Sequence, residues 1–289
     1  MEKVKRYPLP EDDERTVLRD GVLRALRAVP MHFVSTINIE GLSATDLFAM
    51  NTLLGGTIEE QTVATLNATR SIWDPNGKWA DYEFKRYAES FPDVRLERND
   101  GGIPLIGIEL KGWYLLAKEE MPSFRFKASA DAMTVWDLIA VFPWSLSNVI
   151  SGKPVLESPY IEQAKYAADL RTHYWEHRSA NAQPVEHPDT HPYPEPGSSY
   201  SDIVHDDRGG NFGRIARVRG LMDDFIKEAM QTTLAGIGAR WWVRFLKLFD
   251  ERSDEATIRM GFERLAQQTG HDSKWVDEVV SHVLQLMEM

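Results

Sequence analysis

The feature that most constrains the fold is a change in hydrophobic period at residue 93. From Asp93 to Arg98 polar and apolar residues alternate, a period of two that is typical of a half-buried strand. The turn sequence Asn99-Asp-Gly-Gly follows, and the run from Ile103 to Ala117 continues as a second, longer strand. Two such runs joined by a glycine-containing turn predict a β-hairpin.

Burial sets the expected register of this hairpin, because a slip of one residue would turn the apolar side chains to the wrong face. Val94 and Leu96 are therefore expected to face Ile108 and Ile106, respectively. This pairing leaves a three-residue loop over 100–102, which is a favoured hairpin length with glycine available for positive φ.

The same register places Asp93 directly opposite Glu109, with Lys111 two residues further along the same face. Facing β-carbons in such a pair lie about 4.5–5.5 Å apart. Two carboxylates at that distance repel each other unless a cation lies between them. A divalent cation that prefers oxygen ligands, such as Mg²⁺, fits this arrangement. An ordinary solvated hairpin is the alternative, but Leu105 and Trp113 share the face with the charged residues.

The dipeptide Pro92-Asp93, followed after fifteen residues by Glu109-Leu110-Lys111, resembles the signature of the PD-(D/E)XK nuclease superfamily. Type II restriction endonucleases are its best-known members. The resemblance covers about residues 90–145. It implies an α/β fold, restriction-endonuclease-like, with a mixed central β-sheet flanked by helices. It also implies a Mg²⁺-dependent, site-specific endonuclease that cuts double-stranded DNA to leave 5′-phosphate ends.

The resemblance also implies a role for each residue of the motif. Asp93 and Glu109 would bind the metal, together with the backbone carbonyl of Leu110. Lys111 would orient or deprotonate the attacking water and stabilise the charge that builds on the phosphate. A homodimer is expected, because cutting both strands of a palindrome calls for two sites related by two-fold symmetry.

Family members often add an acidic residue from a helix before the sheet. A helix is predicted over 57–72, because Thr57 and Glu60 match a capping box after two glycines. Glu59 is our candidate for the additional catalytic carboxylate, since Glu60 would be occupied as a cap.

Four regions are predicted along the chain. They are an N-terminal helical region (1–75), the nuclease core (76–180), a loop region (181–213) and a C-terminal helical region (214–289). Periodicity and capping predict helices over 16–28, 43–50, 57–72, 160–178, 214–249, 254–269 and 273–287. Residues 78–90 fit a helix or a strand equally well, and 137–143 form a short apolar run of the buried-strand kind.

A glycine- and arginine-rich segment follows the loop region, and it supports two interpretations. In the first, Arg208, Asn211, Arg214 and Arg217 contact DNA, with Asn211 reading an adenine edge and the last two arginines one helical turn apart on phosphates. In the second, the segment is a flexible loop leading into a helix whose arginines pair with nearby acids. Trp241 and Trp242 are expected in the core rather than as a platform for stacking bases.

Two other functions are consistent with the residues. One is a catalytically inactive or structure-specific DNA-binding or repair protein on the same fold. The other is a zinc-dependent hydrolase that uses the histidines His173, His177, His187 and His191. The segment His173-Tyr-Trp-Glu-His lacks the glutamate position of a zinc-protease helix, so we assign no metal there.

Composition and charge limit the kinds of site and the location that we expect for this chain. The chain has no cysteine, which excludes disulfides, thiolate catalysis and cysteine-based metal centres. Its net charge of −11 argues against sequence-independent coating of DNA, since phosphate neutralisation needs local Lys and Arg. The charged first thirty residues lack a signal peptide, and no apolar run reaches the roughly 20 residues of a membrane span. A cytoplasmic protein is expected.

Overall fold

A six-stranded mixed β-sheet organises the chain, which is an α/β protein with helices flanking the sheet. The computed structural model describes residues 4–41, 54–88, 90–207, 209–247 and 254–287. The strands are β1 (Tyr82–Arg86), β2 (Val94–Arg98), β3 (Ile106–Tyr114), β4 (Leu138–Leu146), β5 (Pro154–Leu156) and β6 (Tyr160–Gln163). Strands β1 to β4 are neighbours in chain order, and β5 and β6 both pair with the far edge of β4. The β3–β4 pair is parallel and the others are antiparallel.

Eight α-helices are described. They are α1 (Glu14–His32), α2 (Gly55–Ala68), α3 (Arg70–Trp73), α4 (Ala164–His177), α5 (Asp223–Ala229), α6 (Ala239–Leu246), α7 (Glu255–Thr269) and α8 (Ser273–Met287). A small hairpin of β7 (Thr233–Leu234) and β8 (Ile237–Gly238) separates α5 from α6. In the part of the chain that the structure describes, no helix is long and apolar enough to cross a lipid bilayer.

The expected register of the central hairpin is confirmed. Val94 lies opposite Ile108 and Leu96 opposite Ile106. The prediction of a three-residue loop is wrong, however. The β2–β3 ladder ends at Leu96, and residues 99–105 form a longer connection. Pro104 has no N–H to donate to a ladder, which accounts for the early separation of the strands.

Three helix predictions need correction. The helix expected over 57–72 begins at Gly55 without a side-chain cap and breaks after Ala68, so Thr57 and Glu60 form no capping box. The run 160–178 starts as strand β6, because its first four residues pair with β4. The stretch 214–249 is interrupted by several glycine turns and by the β7–β8 hairpin. The helix predicted over 43–50 lies outside the described residues.

The remaining elements match their expectations. Helices α1, α7 and α8 form where periodicity places them, with Asp13 and Asp254 capping α1 and α7 through their side chains. The segment 78–90, which fitted either structure, contains strand β1. The described residues of 181–213 contain no helix and no strand of a sheet, only an isolated bridge within the region (Glu186 to Ile203) and one to Ala128 (from Ser201).

The two faces of the sheet carry different chemistry. Alternation along β3 places Gly107, Glu109, Lys111 and Trp113 on one face. The Trp113 ring packs against Phe225 of α5, which covers that end of the face. The opposite face is apolar and packs against α2, whose Ile58 side chain lies directly over Gly112. The charged residues thus occupy one otherwise apolar face of a central strand.

Candidate active site

Asp93 lies at the entry to β2, and two groups of β3 hold its carboxylate. Its Oδ2 atom accepts a hydrogen bond from the backbone N–H of Leu110 at 2.7 Å and one from Nζ of Lys111 at 3.4 Å. Because Val94 pairs with Ile108, Asp93 continues the register toward Glu109. The structure therefore brings Asp93 to the position on the hairpin that the sequence predicts.

Glu109 completes the cluster from β3 itself. Its Oε1 atom lies 2.7 Å from Nζ of Lys111, so one ammonium group contacts both carboxylates. All three side chains are largely buried, with exposed fractions of 14% for Asp93, 10% for Glu109 and 20% for Lys111. An exposed hairpin face would leave these groups in water, so the burial argues against the solvated interpretation.

Burial and mutual repulsion change the protonation of this cluster. Burial, together with the negative charge of Glu109, raises the pKa of Asp93 to about 7, although Lys111 and the Leu110 N–H oppose the shift. Burial acts to lower the pKa of Lys111, but the charges of Glu109 and Asp93 outweigh it and raise that pKa above its ordinary value. Lys111 is accordingly an ammonium ion throughout the physiological pH range.

The three residues fit a divalent cation by their donor set. Within the described residues, the Oε2 atom of Glu109 is buried and has no hydrogen-bond partner, which leaves a carboxylate oxygen free to bind a ligand. When Asp93 and Glu109 are both ionised, their two charges exceed the single charge of Lys111 and leave the site negative. Mg²⁺ is commonly bound by one or two protein carboxylates, with waters and substrate phosphates as its other ligands. The cluster supplies only two carboxylates, and within the described residues no group of three or more His, Cys, Asp or Glu that could hold a metal is found.

Asp137 is a further buried carboxylate, and its role was not expected from the sequence. It accepts hydrogen bonds from the backbone N–H of Gly107 (2.6 Å), the backbone N–H of Thr134 (2.7 Å) and the hydroxyl of Tyr193 (2.8 Å). Burial raises its pKa to about 6 despite these donors. Asp137 fixes β3 two residues before Glu109, so it positions the strand that carries the site. A lone acid at the start of an apolar run was the available signal.

Arg95 supports the chain segment that carries Asp93. Its guanidinium is buried and donates to the hydroxyl of Ser90 (3.1 Å) and to the carbonyls of Phe91 (2.8 Å) and Pro194 (3.2 Å). It also stacks on the ring of Tyr87, with 4.2 Å from the guanidinium carbon to the ring centroid. These contacts hold Ser90 and Phe91, which lead into Asp93, against the loop region. Sequence reasoning treated Arg95 only as a polar member of the alternation.

Glu59 is not brought to this cluster, which corrects its expected catalytic role. Its carboxylate is paired with Arg86 at 2.9 Å. Arg86 aligns with Val94, and so it belongs to the face opposite Asp93. The ion pair across α2 and β1 accounts for Glu59 without a catalytic task.

The proposed DNA-contacting segment adopts a geometry different from the expected helix. Arg214 precedes a single 3₁₀ turn and donates to the carbonyl of Gly210 at 3.2 Å, while Arg217 donates to the side chain of Asn211. Within the described residues, neither arginine pairs with a downstream acid. Arg208 lies outside the described residues. The segment packs instead on residues 125–127, where Arg125 donates to the carbonyl of Phe212 at 2.9 Å.

His187 pairs with buried Asp202 at 2.9 Å, and His177 contacts the carbonyl of His173. Within the described residues the four candidate histidines form no group that could hold a metal.

The prediction that Trp241 and Trp242 both lie in the core is wrong for Trp241. Its side chain is 38% exposed on α6, whereas Trp242 packs partly against the core.

No protein-family model matches this chain, and a search of curated proteins finds no match. Function is therefore inferred from the geometry of Asp93, Glu109 and Lys111.

Proposed function

We propose that this chain is a Mg²⁺-dependent, site-specific endonuclease of the PD-(D/E)XK type that cuts double-stranded DNA to 5′-phosphate ends. One observation carries the proposal: two buried carboxylates from adjacent strands converge on a single lysine, with 2.7 and 3.4 Å separating them from its ammonium. The charge-paired cluster stands on one face of a central strand, where a purely structural hairpin would place apolar side chains.

The donor groups divide into metal ligands and a fixed cation. Asp93, Glu109 and the backbone carbonyl of Leu110 would hold Mg²⁺. When bound, Mg²⁺ would lower the pKa of a water molecule and neutralise charge on the phosphate during an in-line displacement. The Leu110 N–H fixes the Asp93 carboxylate in place before any ligand arrives.

Lys111 would act on the water and on the phosphate. In the metal-free protein the charges of Glu109 and Asp93 raise its pKa above the ordinary value, so its side chain is an ammonium group. As an ammonium group it would donate hydrogen bonds that orient the attacking water and stabilise the negative charge that develops on the phosphoryl oxygens.

A basic surface near the site would hold the DNA backbone. Arg125 and Lys127 project from the segment on which the loop 209–217 packs, and Arg214 and Arg217 lie in or next to that loop. Arg125 is ion-paired with Asp207, so the positive charge of this surface would come mainly from Lys127, Arg214 and Arg217. We propose that a homodimer presents two such surfaces to a palindromic site.

A direct test incubates the purified protein with a mixed plasmid library and Mg²⁺ and sequences the DNA ends. Discrete fragments whose ends share a motif are the expected result. A smear without a motif would replace site-specific cleavage by nonspecific cleavage. Intact DNA would refute nuclease activity.

A second candidate is a DNA-binding protein on the same fold without nuclease activity. Lys111 already contacts both carboxylates, and so the cluster is partly neutralised without any metal. Intact DNA in the plasmid experiment, together with retarded duplex in a gel-shift titration, would favour this candidate.

A further inference from the structure

Tyr200 lies within the loop region, beside the segment that leads into the candidate active site. Its carbonyl accepts a hydrogen bond from the backbone N–H of Ser129 at 2.8 Å, which fixes its main chain. Its ring packs against Phe91, with 5.7 Å between ring centroids. Phe91 is two residues before Asp93, so the aromatic contact places Tyr200 against the segment that carries the first carboxylate.

The charges of the cluster act on the Tyr200 hydroxyl. Burial raises the pKa of Tyr200, the negative charges of Glu109 and Asp93 raise it further, and Lys111 opposes them. All three charged residues are therefore close enough to influence this phenol, and Glu109 has the largest effect of the three. The hydroxyl remains protonated and can act only as a neutral hydrogen-bonding group near neutral pH.

The hydroxyl of Tyr200 has no hydrogen-bond partner among the described residues, in contrast to its neighbours. Tyr87 donates to Glu97 at 2.7 Å and Tyr193 donates to Asp137 at 2.8 Å. Glu109 Oε2, within the same described part, is a buried acceptor without a donor. An unused donor and an unused acceptor thus border one cluster, as expected for a site that completes its hydrogen bonds with a ligand.

We propose that the Tyr200 hydroxyl is a further catalytic group that donates a hydrogen bond to a non-bridging oxygen of the scissile phosphate. This inference rests on the proposed nuclease function. Tyr200 forms and breaks no covalent bond in the reaction. Its contribution is a hydrogen bond that strengthens as negative charge builds on the phosphoryl oxygens, which is the requirement for lowering the barrier.

The test compares wild-type protein with Tyr200→Phe, which keeps the ring and its packing on Phe91. Single-turnover cleavage is measured with Mg²⁺ at saturating concentrations of a duplex that carries the motif found in the plasmid experiment. The variant is expected to cleave roughly 10²-fold more slowly, as when one oxyanion donor is removed. Tyr87→Phe is the matched control, since it removes a hydroxyl that is committed to Glu97.

Sulfur substitution distinguishes a phosphate contact from a structural effect. Each phosphorothioate diastereomer at the cut position replaces one non-bridging oxygen. For one of them, the loss of rate in wild-type protein should shrink in Tyr200→Phe, because both changes remove the same hydrogen bond. Tyr87→Phe should leave the wild-type sulfur effect unchanged.

Two results would overturn the proposal for Tyr200. One is cleavage by Tyr200→Phe at the wild-type rate, and the other is full additivity of the sulfur and tyrosine effects for both diastereomers. A wild-type protein that cuts no DNA would instead refute the nuclease function itself. The two failures are thus distinguished by the activity of the wild-type protein.

Discussion

The carboxylate of Asp93 accepts its shorter hydrogen bond, 2.7 Å long, from the backbone N–H of Leu110 and not from a side chain. The main chain of a central strand therefore orients this carboxylate, and Lys111 adds a longer contact of 3.4 Å. Because a side-chain substitution does not remove a main-chain donor, Asp93 should keep its position when Lys111 is replaced. The function of Lys111 can accordingly be tested apart from the geometry of the carboxylates.

Replacing Lys111 by alanine should abolish cleavage while the fold and DNA binding persist. The ammonium stabilises charge that develops in the transition state, so the loss belongs to the chemical step. Removing one such group typically slows catalysis by about 10²–10⁴-fold. Single-turnover cleavage and a gel-shift titration, performed on the same preparation, measure the two properties separately.

Lys85→Ala is the matched control for the loss of a lysine. Lys85 lies on β1 and pairs with Glu97 at 3.1 Å. Its replacement therefore removes a positive charge from a neighbouring strand and leaves the charges of the cluster unchanged. The Lys85→Ala protein should cleave DNA at close to the wild-type rate. If Lys111→Ala also cleaved at that rate, the cluster would have no part in the reaction and the proposed function would fail.

Mg²⁺ should raise the melting temperature of the wild-type protein but not that of Asp93→Asn. A ligand that binds the native state alone stabilises it by mass action, at about 2.7 kcal/mol for a concentration 100 times the dissociation constant. Asparagine lacks the charge that attracts the cation, although it retains an oxygen that can accept from Leu110. Differential scanning fluorimetry with and without Mg²⁺ measures the effect.

Glu97→Gln provides the comparison for the loss of an acid. Glu97 lies in β2 on the same face as Asp93, and its carboxylate contacts Tyr87 and Lys85 instead of the cluster. Its Mg²⁺-dependent shift should equal that of the wild-type protein. Equal shifts in all three proteins would show that Mg²⁺ binds elsewhere.

The sequence was sufficient for the hairpin and its cluster, and the reason is physical. Alternation with a buried face allows only one register, so Val94 and Ile108 could be paired in advance. Asp93 and Glu109 then follow from that register. The loop could not be predicted in the same way, because the place where two strands separate depends on local geometry around Pro104.

The roles of residues that act through tertiary contacts could not be predicted from the sequence. Asp137 and Arg95 join segments far apart in the chain, with Arg95 contacting Pro194 and Asp137 contacting Tyr193. Periodicity reports only local structure, so it gives no partner for either residue. The catalytic role predicted for Glu59 was wrong for the same reason, since nothing in the local sequence indicated its ion pair with Arg86.

Replacing Gly107 by alanine should impair cleavage by displacing Asp93. A β-carbon at this position would lie 2.5 Å from Cγ of Pro92 and 3.2 Å from Oδ1 of Asp137. Pro92 would have to move, and with it the adjacent carboxylate of Asp93. Overpacking of this kind typically costs about 1–3 kcal/mol of unfolding free energy. Urea unfolding and single-turnover cleavage measure the two effects.

Gly55→Ala is the control for the added methyl group, because a β-carbon there meets no atom within 4 Å. It lies at the first position of α2, away from the cluster. Both stability and cleavage should stay near the wild-type values. A Gly107→Ala protein with wild-type cleavage would contradict the close packing of Pro92 on β3.

Asp137 should make the stability of the protein depend on pH between about 4 and 6. Burial raises its pKa from 3.8 to about 6, so the folded state binds more protons than the unfolded state across this window. The stabilisation is complete below pH 4 and is lost as the pH rises through 6. Arg15 and Arg19, whose charges interact with Asp137, do not titrate in this range.

The variant Asp137→Asn removes this titration and isolates its contribution. Asparagine also leaves at least one of the three donors to Asp137 without an acceptor, so the variant should be less stable at every pH. The difference in unfolding free energy between the two proteins should be larger at pH 4 than at pH 7, by up to about 3 kcal/mol for a shift of two pKa units. Urea unfolding at pH 4, 5, 6 and 7 measures it. A difference that is constant, or that grows toward pH 7, would show that Asp137 does not have a raised pKa in the folded protein.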